Sequence, residues 1–236
     1  LVDPSPVTQI ARKIVNSNGL SDRVSCIQKP IGQAHLPQKV DIIVSVFTGN
    51  FLLQEDLLPA LFLARDRFLK PSGVMLPDSA EMHIVPVSAA ELFEENIACW
   101  TQSSQGINFS CAASLAANQV YASRGELSAA DFLTEPQKVM SLDFNTAGKA
   151  ACSEELDFLI SRTGLCHGFL GWFKMRLAQQ WLSTSPDEPR THWSQIYLPL
   201  ELPLELRAGD SLNLKLLRPQ FGDWTWVTSH GGRTFR

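Results

Sequence analysis

No apolar run in this chain is long enough to span a bilayer, which excludes a membrane-spanning helix, and no secretory leader is visible. Cysteine is scarce and oddly numbered: Cys26, Cys99, Cys111, Cys152 and Cys166 are scattered, with no CxxC or Cys/His spacing. That pattern excludes a disulfide framework and a zinc site, and predicts reduced thiols in an intracellular protein with no metal. Charge is nearly balanced, at a formal −4 over 236 residues, which gives no basis for a nucleic-acid partner. No G-x-G-x-G turn lies upstream of Lys39, so no backbone cradle for a nucleotide-type cofactor is visible there.

What is present describes a folded chain, with 44% hydrophobic and 19% charged residues and room for one large or two modest domains. The organising stretch is KVDIIVSVFTGNFLLQEDLL, Lys39 to Leu58. Val40 to Val44 is an unbroken β-branched run after Pro37 and predicts a buried parallel strand. A loop around Gly49 follows, then an apolar segment from Phe51 to Asp66 with Leu53, Leu57, Leu61 and Ala64 at helical spacing and Glu55 and Asp56 early. Open α/β sheets keep ligands at the C-terminal ends of their strands, so Val46 to Glu55 is the candidate active-site loop.

Around this stretch the chain divides near Pro77-Asp78. Before it, Leu1-Val2-Asp3 reads as a strand end and Pro4 to Asn18 as a helix with Val7, Ile10, Ala11, Ile14 and Val15 on one face. Arg23 to Gln28 reads as a short strand, Leu69 to Gly73 as a turn, and Val74 to Pro77 as a strand. After it, Glu81–Val87, Val139–Phe144, Leu170–Leu177, Trp193–Leu200, Leu212–Leu217 and Trp224–Val227 are antiparallel-strand candidates, which argues a barrel or sandwich. Between them, roughly 89–132, ELFEENIACW and SCAASLAANQVYASRGELSAADFL read as helical. Ser183 to Trp193 forms a proline-fixed turn in which His192 and Trp193 offer an imidazole and an aromatic wall to a cation. His35, His83, His167 and His230 stand singly and read as structural or solvated.

KVDIIVS-x-x-x-G-x-FLL-x-E, then LARDRFLKPSGVMLPD, together with STSP…Thr-His-Trp, resembles the protein arginine methyltransferases from Asp3 to about Phe235. The resemblance implies the C-terminal half of a Rossmann-like methyltransferase domain over 1–77 and a β-barrel over 78–236 with a helical dimerisation arm at about 89–132. It implies a loop with two glutamates nine positions apart that grip a substrate guanidinium, since two carboxylates match its fork of donors and its charge. Glu55 falls on the second position; Val46 stands at the first, where no charge or hydrogen bond is available. Asn50 and Gln54 stand where the family's tyrosines are expected. His192 and Trp193 border the arginine pocket. Asp3 matches the acidic residue that holds the ribose of S-adenosylmethionine, with a helix-capping role equally open. Gly32 replaces the glutamate that meets the adenine. The arm docks on a partner's Rossmann domain, with Phe109, Leu115, Val120, Tyr121 and Leu127 as apolar anchors; packing on the chain's own barrel is the alternative.

Two functions follow from that pattern. One is a catalytically inactive arginine methyltransferase paralogue, a prozyme of the trypanosomatid kind, that binds no cofactor alone and activates an active subunit in a hetero-oligomer. Arg-rich protein substrates would then be met through the complex, and S-adenosylmethionine through the active subunit. The other is an active S-adenosylmethionine-dependent arginine N-methyltransferase, of which this chain is a fragment, with Glu55 as guanidinium ligand. Either implies a cytoplasmic or nuclear location.

Overall fold

A computed structural model describes residues 1–123 and 125–235. Asp3 lies ahead of the first helix, α1 (Val7–Ser17), whose N-cap is Pro6: its Oδ1 accepts from the amide and hydroxyl of Ser5, and Gly19, at φ 65°, follows the last turn. Residues 1–3 and 25–27 pair only through one parallel bridge, Val2 to Ile27, in place of the two strands predicted. β1 (Val40–Val44) and β2 (Leu69–Leu76) run parallel, joined by α2 (Leu58–Phe68). The predicted turn at Leu69–Gly73 lies inside β2, where the register slips between Val40↔Leu69 and Ile42↔Val74 and Lys70-Pro71-Ser72-Gly73 is accommodated.

Two burial expectations fail in this half. Ile42 and Val44 of β1 are exposed, as are Val7, Ile10 and Ile14 of α1. A parallel strand is buried only with neighbours on both edges and cover on both faces, and among the described residues β1 has β2 alone. Helix α2 does bury its stripe, through Leu58, Leu61, Phe62, Ala64 and Phe68.

β3 (Ser79–Val87) begins the larger unit. After it come α3 (Ala90–Asn96), a minimal hairpin of β4 (Ser103–Ser104) and β5 (Ile107–Asn108), α4 (Ala113–Ala117) and β6 (Tyr121–Ser123). The remaining strands are β7 (Gln137–Asp143), β8 (Cys152–Leu159), β9 (Gly164–Leu177), β10 (Gln180–Ser183), β11 (Gln195–Leu206), β12 (Ser211–Arg218), β13 (Thr225–His230) and β14 (Arg233–Phe235). One sheet has the order β6-β11-β9-β3-β7, with β10 on β9; the other is β14-β13-β12-β8. Together they enclose one core in a barrel-like arrangement. Alternation does the sorting: in β12, Leu212, Leu214 and Leu216 point in while Lys215 and Leu217 point out. Each fully buried leucine contributes about 1.5–3 kcal/mol. Strand β8 escaped the sequence reading because CSEELDFL spends its outward positions on acids, and only Cys152, Leu156 and Phe158 turn inward. All five cysteines are free.

The stretch 89–132 is less helical than predicted. α4 stops at Ala117, and Tyr121–Ser123 pairs antiparallel with β11 as an edge strand, since Val-Tyr-Ala-Ser there gains ladder bonds that a short helix end lacks. Leu92 and Leu127 pack on Val85, Val87, Leu170, Trp172 and Tyr197, on the outer face of the six-stranded sheet. His167, buried beneath them, accepts a hydrogen bond at Nδ1 from the Ala89 amide that starts α3, 3.1 Å away.

Candidate functional site

From Gly49 to Asp56 the chain does not continue as a helix but folds into a tight knot. The Gly49 amide donates to Leu52 O at 3.3 Å, and a Cβ on Gly49 would lie 1.7 Å from Gln54 O, so only glycine fits. Phe51, Leu52, Glu55 and Asp56 all have left-handed backbone, at φ 46°, 60°, 72° and 53°. Each such non-glycine residue costs on the order of 1–2 kcal/mol. What holds them is burial: Phe51, Leu52 and Leu53 all enter the barrel-like core, which three consecutive helical residues could not do. Phe51 packs 5.0 Å from Trp224, in space left by Gly171, where a Cβ would meet the Phe51 ring at 2.7 Å.

The far end of the knot is fixed by charge. Asp56 accepts from Nη1 of the buried Arg218 at 3.0 Å and from the Phe221 amide at 3.1 Å. The Arg218 hydrogen bond is the main reason its carboxyl sits below the ordinary aspartate range. Glu55, between the buried leucines and this pinned aspartate, faces solvent.

Two bonds staple the Thr-His-Trp turn to the same loop. Trp193 Nε1 donates to Thr48 O at 2.8 Å, and the Ser194 amide donates to Asn50 Oδ1 at 2.8 Å. Asn50, read as a departure from the family's tyrosine, thus holds the turn. The Trp193 ring meets Phe173 edge-on at 5.5 Å, with the His192 ring 3.8 Å from it. A cavity of about 250 Å³ opens here, lined by Glu188, Arg190, Thr191, His192 and Trp193 among others. Glu55 and Val46 are not in its wall. The structure therefore brings Trp193 to the loop at Thr48, while His192 and Glu55 are exposed and Val46, on the loop's outer side, is 66% exposed. Arg190 already brings a guanidinium to the cavity.

The cofactor positions do not make up a binding set. Asp3 Oδ1 is engaged by Ser5, which lowers its pKa, and the capping alternative is not met, since Pro6 stands at the N-cap of α1 with no side-chain cap. Gly32 offers no side chain, its carbonyl accepts from Arg67, and a Cβ there would lie 3.3 Å from Leu63. No step through S-adenosylmethionine follows from these residues. Among the described residues no cluster suited to a metal exists. Of the five arm anchors, Phe109 and Leu115 are outward, at 40% and 69% exposure. Leu127 is buried, Val120 packs on the main core, and Tyr121 donates from its hydroxyl to Ala116 O at 2.8 Å. Sequence reasoning missed Asp56 and Arg218; 162 residues separate them, and no local pattern marks the pair.

The family profile of the arginine methyltransferase oligomerization subdomain matches residues 78–222. The chain belongs to the protein arginine methyltransferase family. Protein arginine N-methyltransferase 2 of Xenopus tropicalis is 34% identical over 224 residues, covering 90% of this chain and 52% of that protein. The chain spans about half the length of such relatives. A chain of the Trypanosoma brucei PRMT1 enzyme-prozyme heterotetrameric complex with AdoHcy superposes with a TM-score of 0.87 at 28% identity, over 100% of this chain and 80% of that one. Arabidopsis thaliana protein arginine methyltransferase 10 gives 0.78 at 26%, over 99% and 79%. Like these arginine methyltransferases, the chain joins a Rossmann-like unit to a barrel-like one bearing a helical insertion.

Proposed function

We propose that this chain is a catalytically inactive arginine methyltransferase paralogue that serves as the regulatory, prozyme-like subunit of an active arginine methyltransferase. The carrying observation is Val46, an exposed valine where the family resemblance places the first clamp glutamate, which leaves Glu55 single. A guanidinium held by one carboxylate in a desolvated pocket loses about 3–5 kcal/mol of pairing, on the order of a hundredfold to a few thousandfold in rate. Arg190 in the cavity wall opposes a second cation there. The engaged Asp3 and the bare Gly32 support the same reading, in which S-adenosylmethionine belongs to the active subunit. The junction at residue 77 then divides the Rossmann-like unit from the oligomerisation unit. The enzyme-prozyme assembly of the trypanosome neighbour and the outward Phe109 and Leu115 support docking on such a subunit.

An active arginine N-methyltransferase is the second reading, favoured by the names of the relatives and by Glu55 at the second clamp position. The two separate in one experiment on the full-length protein that carries this chain, alone and mixed with an active arginine methyltransferase of the same organism. S-adenosylmethionine calorimetry and methylation of an Arg-rich peptide are read for wild type and Glu55→Gln. The expected result is no binding or activity alone, a raised partner rate in the mixture, and no effect of Glu55→Gln. Micromolar cofactor binding alone, or activity lost in Glu55→Gln with assembly intact, establishes the enzyme instead.

A further inference from the structure

Two of the free cysteines flank one hairpin in the helical insertion, Cys99 before it and Cys111 after it. β4 and β5 pair at Ser103↔Asn108 and Ser104↔Ile107, joined by Gln105 and Gly106 at φ 51° and 80°. Those are the two left-handed residues of a type I′ turn, which sends the chain straight back along itself. Carried outward, the register sets Cys111 opposite Trp100, the neighbour of Cys99. Cys99 lies in the short helical turn Ala98–Thr101 and Cys111 in the turn Ser110–Ala112. These turns pack on each other, with Cα atoms within 8 Å. A disulfide joins Cα atoms about 4.4–6.8 Å apart. Beside the two turns, Ile97, Ala116 and Ala117 form a small core shared by the segments that carry them. Both cysteines are exposed, so closing the remaining gap displaces no core side chain.

The other cysteines differ. Cys152 and Cys166 are buried, and burial pushes both thiol pKa values up to about 12. Half-buried Cys26 lies in the Rossmann-like unit. We propose that Cys99 and Cys111 form a reversible dithiol–disulfide site, oxidised by hydrogen peroxide, that staples the base of this hairpin. A two-stranded hairpin is marginally stable alone, so such a bond changes its order. Cys99 donates from Sγ to Glu95 O at 3.1 Å, whereas Cys111 Sγ has no hydrogen-bond partner among the described residues. Cys111 is therefore the sulfur that reacts first. Its thiolate attacks a peroxide oxygen, the O–O bond breaks, and the departing hydroxide takes up the thiol's proton to leave as water. Cys99 then attacks the sulfenic sulfur, forming the S–S bond, and its proton leaves with the sulfenic hydroxyl as a second water. Two thiols are oxidised and one peroxide is reduced. The site stands independently of whether Glu55 takes part in methyl transfer.

The experiment treats the full-length protein that carries this chain with hydrogen peroxide and maps its cysteines by mass spectrometry, before and after dithiothreitol. Chymotryptic cleavage after Trp100 and Phe109 places Cys99 and Cys111 on separate peptides. The expected product is those two peptides joined by a disulfide, with Cys152 and Cys166 unmodified and both thiols restored by dithiothreitol. Cys99→Ser should halt the reaction at a Cys111 sulfenic acid, which dimedone traps. Cys111→Ser should lose the disulfide and leave Cys99 a thiol. Both substitutions are at exposed positions, so each variant should melt within about 1 °C of the wild type. A disulfide between copies in place of the internal one, irreversible oxidation of Cys111 with no bond to Cys99, or a dimedone adduct on Cys99 in folded Cys111→Ser equal to that on Cys111 in Cys99→Ser overturns the proposal.

Discussion

Trp193 Nε1 lies 2.8 Å from the carbonyl of Thr48 and donates to it, closing a loop of 145 residues between the two candidate site segments. Replacing Trp193 with Phe keeps the edge contact to Phe173 and removes only the donor. The loss should be about 1 kcal/mol, or a fall of about 2–4 °C in Tm for a chain of this size. Calorimetric melting checks it, and an unchanged Tm would show that the two segments are held without this bond.

Arg218 and Asp56 hold the end of the left-handed knot. Arg218→Met should cost about 1–3 kcal/mol, because a buried hydrogen bond to a charged group is lost. The pair also has a pH signature. The native Asp56 pKa lies below its ordinary value, so its contribution is present above about pH 4 and disappears as pH falls toward the lowered value. Urea unfolding between pH 5 and 3 should therefore show a shallower loss of stability in Arg218→Met than in the wild type.

His167 acts in the opposite pH range. Burial lowers its pKa, and its Nδ1 must stay unprotonated to accept from the Ala89 amide. Unfolded, it takes up a proton near pH 6.5; folded, it resists until lower pH. Stability should thus be full above pH 7 and fall as pH drops through 6.5, by up to about 1.4 kcal/mol per pH unit for each such group. His83, whose pKa is lowered chiefly by burial and then by Lys174, contributes in the same direction. In His167→Gln the slope between pH 6.5 and 5 should be clearly reduced, as read by Tm against pH.

The arm residues should separate into two classes. Phe109→Ser with Leu115→Ser should leave Tm within about 1 °C, as exposed sites do, while breaking co-purification with an active arginine methyltransferase. Tyr121→Ala should instead lower stability by about 2 kcal/mol, through lost packing and the lost bond to Ala116 O. Normal assembly in the Phe109/Leu115 variant would show that these side chains are surface alone.

Much of the architecture is readable because period-2 alternation is a local signal: β3 and β12 place apolar residues on alternate positions, and the sequence reading lies within a few residues of both. Strand β8 is not readable in this way, since its apolar residues are few and its acids face out. The segment 118–123 reads as helix because it follows an alanine-rich run, and the β11 edge that captures Tyr121 lies about 75 residues downstream.

By itself, the sequence determined the candidate loop, the valine at position 46, the lone Glu55 and the Thr-His-Trp turn, all carried by residue identity in short order. Tertiary structure alone decided where those residues point. Phe51 and Leu52 turn the backbone left-handed because the core that they and Leu53 fill is built by strands distant in the sequence. That core leaves Glu55 outside the cavity beside Trp193, engages Asp56 with Arg218, and packs Trp224 on Phe51. Local sequence cannot encode such contacts, because burial, the force that pays for the strained turn, belongs to the assembled barrel-like core.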